Sequence, residues 1–239
     1  MHAHPSVPTL VAAALAAATV SANAAQSGRS DPGRAAQMRD HYTVALTLHG
    51  AVIRGDLPSV VQHARTLAKY EGPSPAAAGT ASHVAAIRQA ADQAAAAKDL
   101  VSAAYASGLM LAACGDCHRA AGVMPAAPVG PRPQVGGTVG HMLAHQRAAD
   151  QMLQGLVVPS NSLWLEGTKA FVSAPLHDPQ LSGSRARDRE MLTTEQRIHR
   201  IASDAAQATD SRSRASFYSQ MLAGCADCHT QQSQWGPKG

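Results

Sequence analysis

DLVSAAYASGLMLAACGDCH, residues 99–118, returns without a gap as DSRSRASFYSQMLAGCADCH, residues 210–229. Asp99, Ser102, Met110, Leu111, Asp116 and His118 fall on Asp210, Ser213, Met221, Leu222, Asp227 and His229, and farther upstream Ile87 falls on Ile198. Alanine is frequent enough here to inflate any match, but these identities involve other residue types and keep one phase. Each stretch ends in Cys-x-x-Cys-His. Alanine loses no side-chain entropy in a helix and crowds no neighbouring turn, so an Ala-rich chain with few β-branched and aromatic runs reads as mostly helical.

Working outward, Met38-x-x-His41-x-x-x-Ala45 matches Met142-x-x-His145-x-x-x-Ala149. The chain therefore reads as two copies of one helical unit, near 33–119 and 138–230. Between them, Ala120 to Gly137 holds Pro125, Pro128, Pro131, Pro133 and several glycines, a composition that ends helices and makes a linker. Four helices are expected in the first unit, near 34–54, 57–70, 81–97 and 99–118. Pro58 falls in the first turn of the second, with Asp56 as its candidate cap. In the second unit they are expected near 138–157, 160–174, 194–209 and 211–230. Pro159 and Ser160 mark the first break there, and Thr193-x-x-Gln196 resembles a capping box. Four such helices with short links fit an antiparallel bundle. The expected fold is all-α, with two tandem four-helix-bundle-like domains at 25–119 and 138–239, joined by a linker at 120–137.

Aromatic residues make up 3% of the 239 residues, few for filling a core, so a bulky prosthetic group is one way to supply volume. The formal net charge is +4 with both signs interspersed, which gives no footprint for nucleic acid. The Arg-rich stretch from Arg185 to Arg200 is broken by Asp188, Glu190 and Glu195 and reads as a solvated loop and helix face. Residues 1–24 look like a secretory signal: Leu10 to Val20 is too short an apolar run to span a bilayer, and Ala22-Asn23-Ala24 offers a cleavage site. His2 and His4 stand where Lys or Arg is usual. Charges and glycines interrupt the other apolar stretches. The expected mature chain is periplasmic, without stable membrane insertion.

All four cysteines fall in the two Cys-x-x-Cys-His motifs, Cys114–Cys117–His118 and Cys225–Cys228–His229. Residues at i and i+3 share a helix face, which places two thiols where they can add to the two vinyl groups of one haem. The adjacent His then offers its imidazole to the iron. A disulfide pair, a zinc site and a thioredoxin-like centre compete with this reading. A Cys₄ zinc site is disfavoured by the sequence separation of the pairs, more than a hundred residues. Redox chemistry at Cys-x-x-Cys is expected in a βαβ context, which a helical chain lacks. Two covalently bound haem c groups are the expected cofactors.

A haem motif at the end of the last helix of a four-helix bundle resembles the class II cytochromes, the cytochrome c-prime and cytochrome c-556 group. Only the six motif residues carry specific identity; the rest of the likeness is architectural. The resemblance implies that a residue on the first helix of each bundle faces the distal side of the haem. That stretch holds Met38 and His41 in one unit, Met142 and His145 in the other, each pair on one helix face. No Met or His follows His229, so a second iron ligand must come from upstream. His41 and His145 are the expected distal ligands, with Met38 and Met142 as the alternatives. His49, His63, His83, His141, His177 and His199 lack a counterpart in the other unit and read as surface or structural residues. Met110 and Met221 recur one turn before the first Cys and are expected to pack against porphyrin. With no acid–base constellation and no nucleotide-binding loop, the expected role is electron transfer between redox protein partners. An open-site haem protein binding nitric oxide or carbon monoxide is the alternative, and a dihaem peroxidase a more distant one.

Overall fold

The computed structural model describes residues 32–72, 78–125, 135–174 and 185–235. Among them every regular element is a helix: α1 (Pro32–Ile53), α2 (Leu57–Ala68), α3 (Ala81–Ala95), α4 (Leu100–Ala120), α5 (Gly137–Val157), α6 (Asn161–Ser173), α7 (Arg185–Ala205) and α8 (Ser211–Trp235). The all-α expectation stands. The proposed leader at 1–24, residues 126–134 of the Pro/Gly linker and His177 lie outside the described residues.

Local chemistry explains the helix starts. Asp56 caps α2 by accepting from the Ser59 N–H, with Pro58 in the first turn. Asp99 and Asp210, which the repeated stretch pairs in sequence, do the same for Ser102 and Ser213 at 2.7 and 2.8 Å. Each side chain satisfies one of the amides that a helix start leaves without an intrahelical partner. Ser160 caps α6 through Leu163. Helix α7 begins at Arg185, well before the expected position near 194. The Thr193-x-x-Gln196 pattern therefore sits inside a helix, where the Thr193 hydroxyl donates back to the Arg189 carbonyl at 2.7 Å. This is the other use a threonine finds on a helix, and it caps nothing.

Packing follows chain order within each half. Helix α1 neighbours α2, α2 neighbours α3, α3 neighbours α4, and α4 returns to α1; α5 to α8 repeat the cycle. The halves then meet along α4 and α8, flanked by α4 against α5 and α8 against α1. One continuous apolar core runs through both, from Leu48, Val52 and Leu67 to Trp164, Phe171, Tyr218 and Leu222. Gly108 sets the α4–α8 approach: a Cβ there would meet the Ser219 hydroxyl and the Ala215 carbonyl. Buried polar groups cross the same seam. The Tyr218 hydroxyl lies 3.0 Å from His49 Nδ1 and donates to the Ala149 carbonyl at 3.3 Å, while His49 Nε2 lies 3.5 Å from Asp150. His49 is thus a structural histidine. Helix α4 is long and apolar enough to cross a membrane by length and composition, which the sequence reading did not anticipate, but 67% of that span is buried within the fold.

Candidate functional site

Both Cys-x-x-Cys-His motifs fall near the C-terminal ends of the two helices that meet at the seam, α4 and α8. No disulfide joins the four cysteines. Burial, followed by the neighbouring thiol, pushes Cys114 and Cys225 up to about 12; burial also raises Cys117, and Cys228 to about 11. A redox-active Cys-x-x-Cys needs a depressed thiol, the opposite shift. Among the described residues, the one group of three or more His, Cys, Asp or Glu that can converge on an ion contains no cysteine.

At the first motif, His118 Nδ1 lies 2.7 Å from the Val157 carbonyl, at the end of α5 in the other half. A carbonyl only accepts, so the proton sits on Nδ1 and Nε2 keeps its lone pair. Gly115 makes this contact geometrically accessible, since a Cβ there would collide with the Leu156 carbonyl. Burial lowers the His118 pKa, and the Val157 bond partly opposes that. His41 stacks on Tyr70 with ring centroids 3.8 Å apart, and the Tyr70 hydroxyl lies 3.5 Å from Met38 Sδ. His41 Nε2 is buried and has no hydrogen-bond partner. Burial first, and then the charge of His118, lower the His41 pKa to about 4. Burial raises the Tyr70 phenol, as do Cys117 and Cys114 beside it. The expected residues Met38, His41, Cys114, Cys117 and His118 are therefore gathered in one place, with Tyr70 added.

At the second motif a cavity of about 250 Å³ opens between α1, α5, α7 and α8. Its lining includes Cys225, Cys228 and His229 from α8, Met142 and His145 from α5, Glu195 from α7, and Arg54 from α1. All five expected residues of this half thus border one space. Burial and the Arg54 charge lower the His229 pKa. His145, however, has different company from His41. It lies 3.8 Å from Glu195 Oε1 and 3.4 Å from His199 Nε2, and its ring meets those of His141 and Phe171 at 4.3 and 5.2 Å. Burial, then His141, lower its pKa to about 4, against the opposing pull of Glu195.

Five groups of this arrangement escape the sequence reading. His141 and His199 are not bystanders, and Glu195 joins them in an acid–base cluster where none was expected. The spacing of His141 to His145 and of Glu195 to His199 is the signal that was available, because i and i+4 share a helix face. Nothing in the sequence points to Tyr70 or to the Val157 carbonyl, since both are brought in by packing. Met110 and Met221 are buried in the shared core. No known family, curated protein or solved structure matches this chain.

Proposed function

We propose that this chain is an exported c-type cytochrome that carries two covalently attached haems and transfers electrons between redox proteins in the periplasm. The observation that carries the proposal is the pairing at the first motif. His118 has one ring nitrogen committed to Val157 and the other free to ligate, and His41 presents a buried nitrogen that no protein group satisfies. A buried unsatisfied polar atom in a native fold asks for a partner such as an ion or water, and iron is a fitting one. A metal-bound imidazole almost always gives its other N–H to a carbonyl or carboxylate, as His118 does.

In this reading Cys114 and Cys117 hold one haem by thioether bonds, with His118 as proximal ligand and His41 as distal ligand; Met38 is the alternative. Cys225, Cys228 and His229 hold the second beside Met142 and His145. Arg54, on the cavity wall, is placed to neutralise an acidic substituent. Haem iron supplies the one-electron chemistry, while the chain fixes ligation, burial and spacing. The two bundles are, in the same proposal, copies of one class II-like unit.

Mass spectrometry of protein exported by a host with haem-maturation machinery should show two haem additions on a chain beginning near Ala25. A chain without them overturns the proposal. His41→Ala should convert one iron to a high-spin electron paramagnetic resonance signal and allow carbon monoxide to bind at one haem only. If the unaltered protein already binds carbon monoxide at both haems, gas binding replaces electron transfer as the function.

A further inference from the structure

The equivalence of His41 and His145 in sequence is broken in three dimensions. Counting back along the repeat, Gln37 stands where the second half has His141, Val84 where it has Glu195, and Arg88 where it has His199. His41 is therefore alone, while His145 belongs to a cluster of four. His141 and His145 share one face of α5, and Glu195 and His199 share one face of α7. No Cα of α5 lies within 8 Å of one in α7, so these side chains meet across the diagonal of the second bundle. His141 Nε2 lies 2.5 Å from Glu195 Oε1, His145 Nε2 lies 3.8 Å from the same oxygen, and His199 Nε2 lies 3.4 Å from His145 Nε2. Ligand atoms of His141, His145 and Glu195 all fall within 4.8 Å of one another. Their side chains are 8%, 12% and 8% exposed.

We propose that His141, His145 and Glu195 bind one divalent transition-metal ion of the zinc class, with His199 packed beside His145. Zinc holds imidazole nitrogen and carboxylate oxygen at about 2.0–2.2 Å in a tetrahedron, which separates neighbouring ligand atoms by about 3.3 Å. The observed separations straddle that value. Two imidazoles and one carboxylate suit zinc, cobalt or nickel, whereas magnesium and calcium want oxygen. With ligands drawn from both helices the ion acts as a tie between α5 and α7, and its fourth position is left to water or another donor. The site needs no haem and would stand if the haem proposal fell. If both hold, His145 is committed to this ion, and Met142 is the residue of α5 left for the iron beside His229.

The test uses the full exported chain. After dialysis against chelator, zinc is titrated by calorimetry, and bound zinc is measured by mass spectrometry of the metal. The expected result is one zinc per chain beyond any haem iron, with a thermal midpoint that rises on loading and falls again with chelator. Losing an outer partner weakens a metal site about 10–100-fold, so Glu195→Gln and His141→Ala should each weaken zinc by about 100-fold or more. His63→Ala, away from the cluster, should change nothing. Zinc retained at full affinity in Glu195→Gln and His141→Ala overturns the proposal, as does an unaltered chain that binds no zinc and shows no chelator-sensitive midpoint. Should a variant not fold, the shift of the unaltered chain still decides. Haem mass additions are scored on the same samples, so failure of one proposal is seen separately from failure of the other.

Discussion

Gly115 is the residue on which the first motif depends most directly. It lies between the two cysteines, and its missing side chain lets the end of α5 rest against α4. The His118–Val157 hydrogen bond spans that same contact. A Cβ at 115 would strike the Leu156 carbonyl, which is backbone and has no rotamer to escape into. Replacing glycine by alanine inside a helix gains about 1 kcal/mol of intrinsic propensity, but overpacking a close contact costs about 1–3 kcal/mol. Because the obstacle is main chain, the loss should win. Gly115→Ala should therefore lower the denaturant midpoint and, under the proposed haem attachment, reduce the fraction of chains carrying haem at the first motif. At Gly50 an added Cβ meets only the tip of the Arg54 side chain, 3.0 Å away. Gly50→Ala is the control, and its midpoint should hold or rise.

Helices α4 and α8 do at the next scale what Gly115 does locally. Small residues line their crossing, with Gly108 facing Ala215 and Ser219. Gly108→Leu should wedge the helices apart and cost about 1–3 kcal/mol or more by the same overpacking reasoning, read as a lower urea midpoint with helical content retained. At this scale the sequence was most informative. Seven of the eight described helices start within two residues of the expected positions, four of them at an Asp or Ser cap, because caps and breakers act within a turn or two. The exception is α7, whose first two turns are Arg-rich and charged; composition made them look like a solvated loop. Yet Asp188 in that first turn is buried, so the stretch packs on the fold and is not a solvated loop. The two Cys-x-x-Cys-His stretches are read at once from the sequence because their spacing is local. Tyr70, Val157 and the facing of Glu195 toward His141 were not, because each depends on which helices become neighbours.

For the whole molecule, the buried imidazoles make stability depend on pH in a definite direction. His41 and His145 fall to about 4 in the fold, and His118, His199 and His229 are also lowered, with burial first among the causes throughout. An unfolded histidine titrates near 6.5. Between about pH 6.5 and 4 the unfolded chain therefore binds more protons than the folded one. The contribution of these groups is complete above about 6.5 and is lost as pH falls toward 4, so urea midpoints should drop between pH 7 and pH 5. Ligation by iron or zinc keeps the same sign, since metal and proton compete for one lone pair. The halves themselves should not part cleanly. Each has its own ring of four helices, but Ala215, Tyr218, Ser219 and Leu222 of α8 are buried along the helix that packs on α4. Cutting the chain in the linker would expose that face and take His49 away from Tyr218 and Asp150, while the Tyr218–Ala149 hydrogen bond stays within the second half. A fragment of residues 134–239 should therefore not persist as a stable monomer. Because α4 and α8 are related by the repeat, the α8 face resembles the partner it has lost, and two fragments should pair through it. Light scattering on that fragment should report a dimer or larger species, with a midpoint that rises with concentration. A monomer as stable as the full chain would show that the α4–α8 seam contributes little.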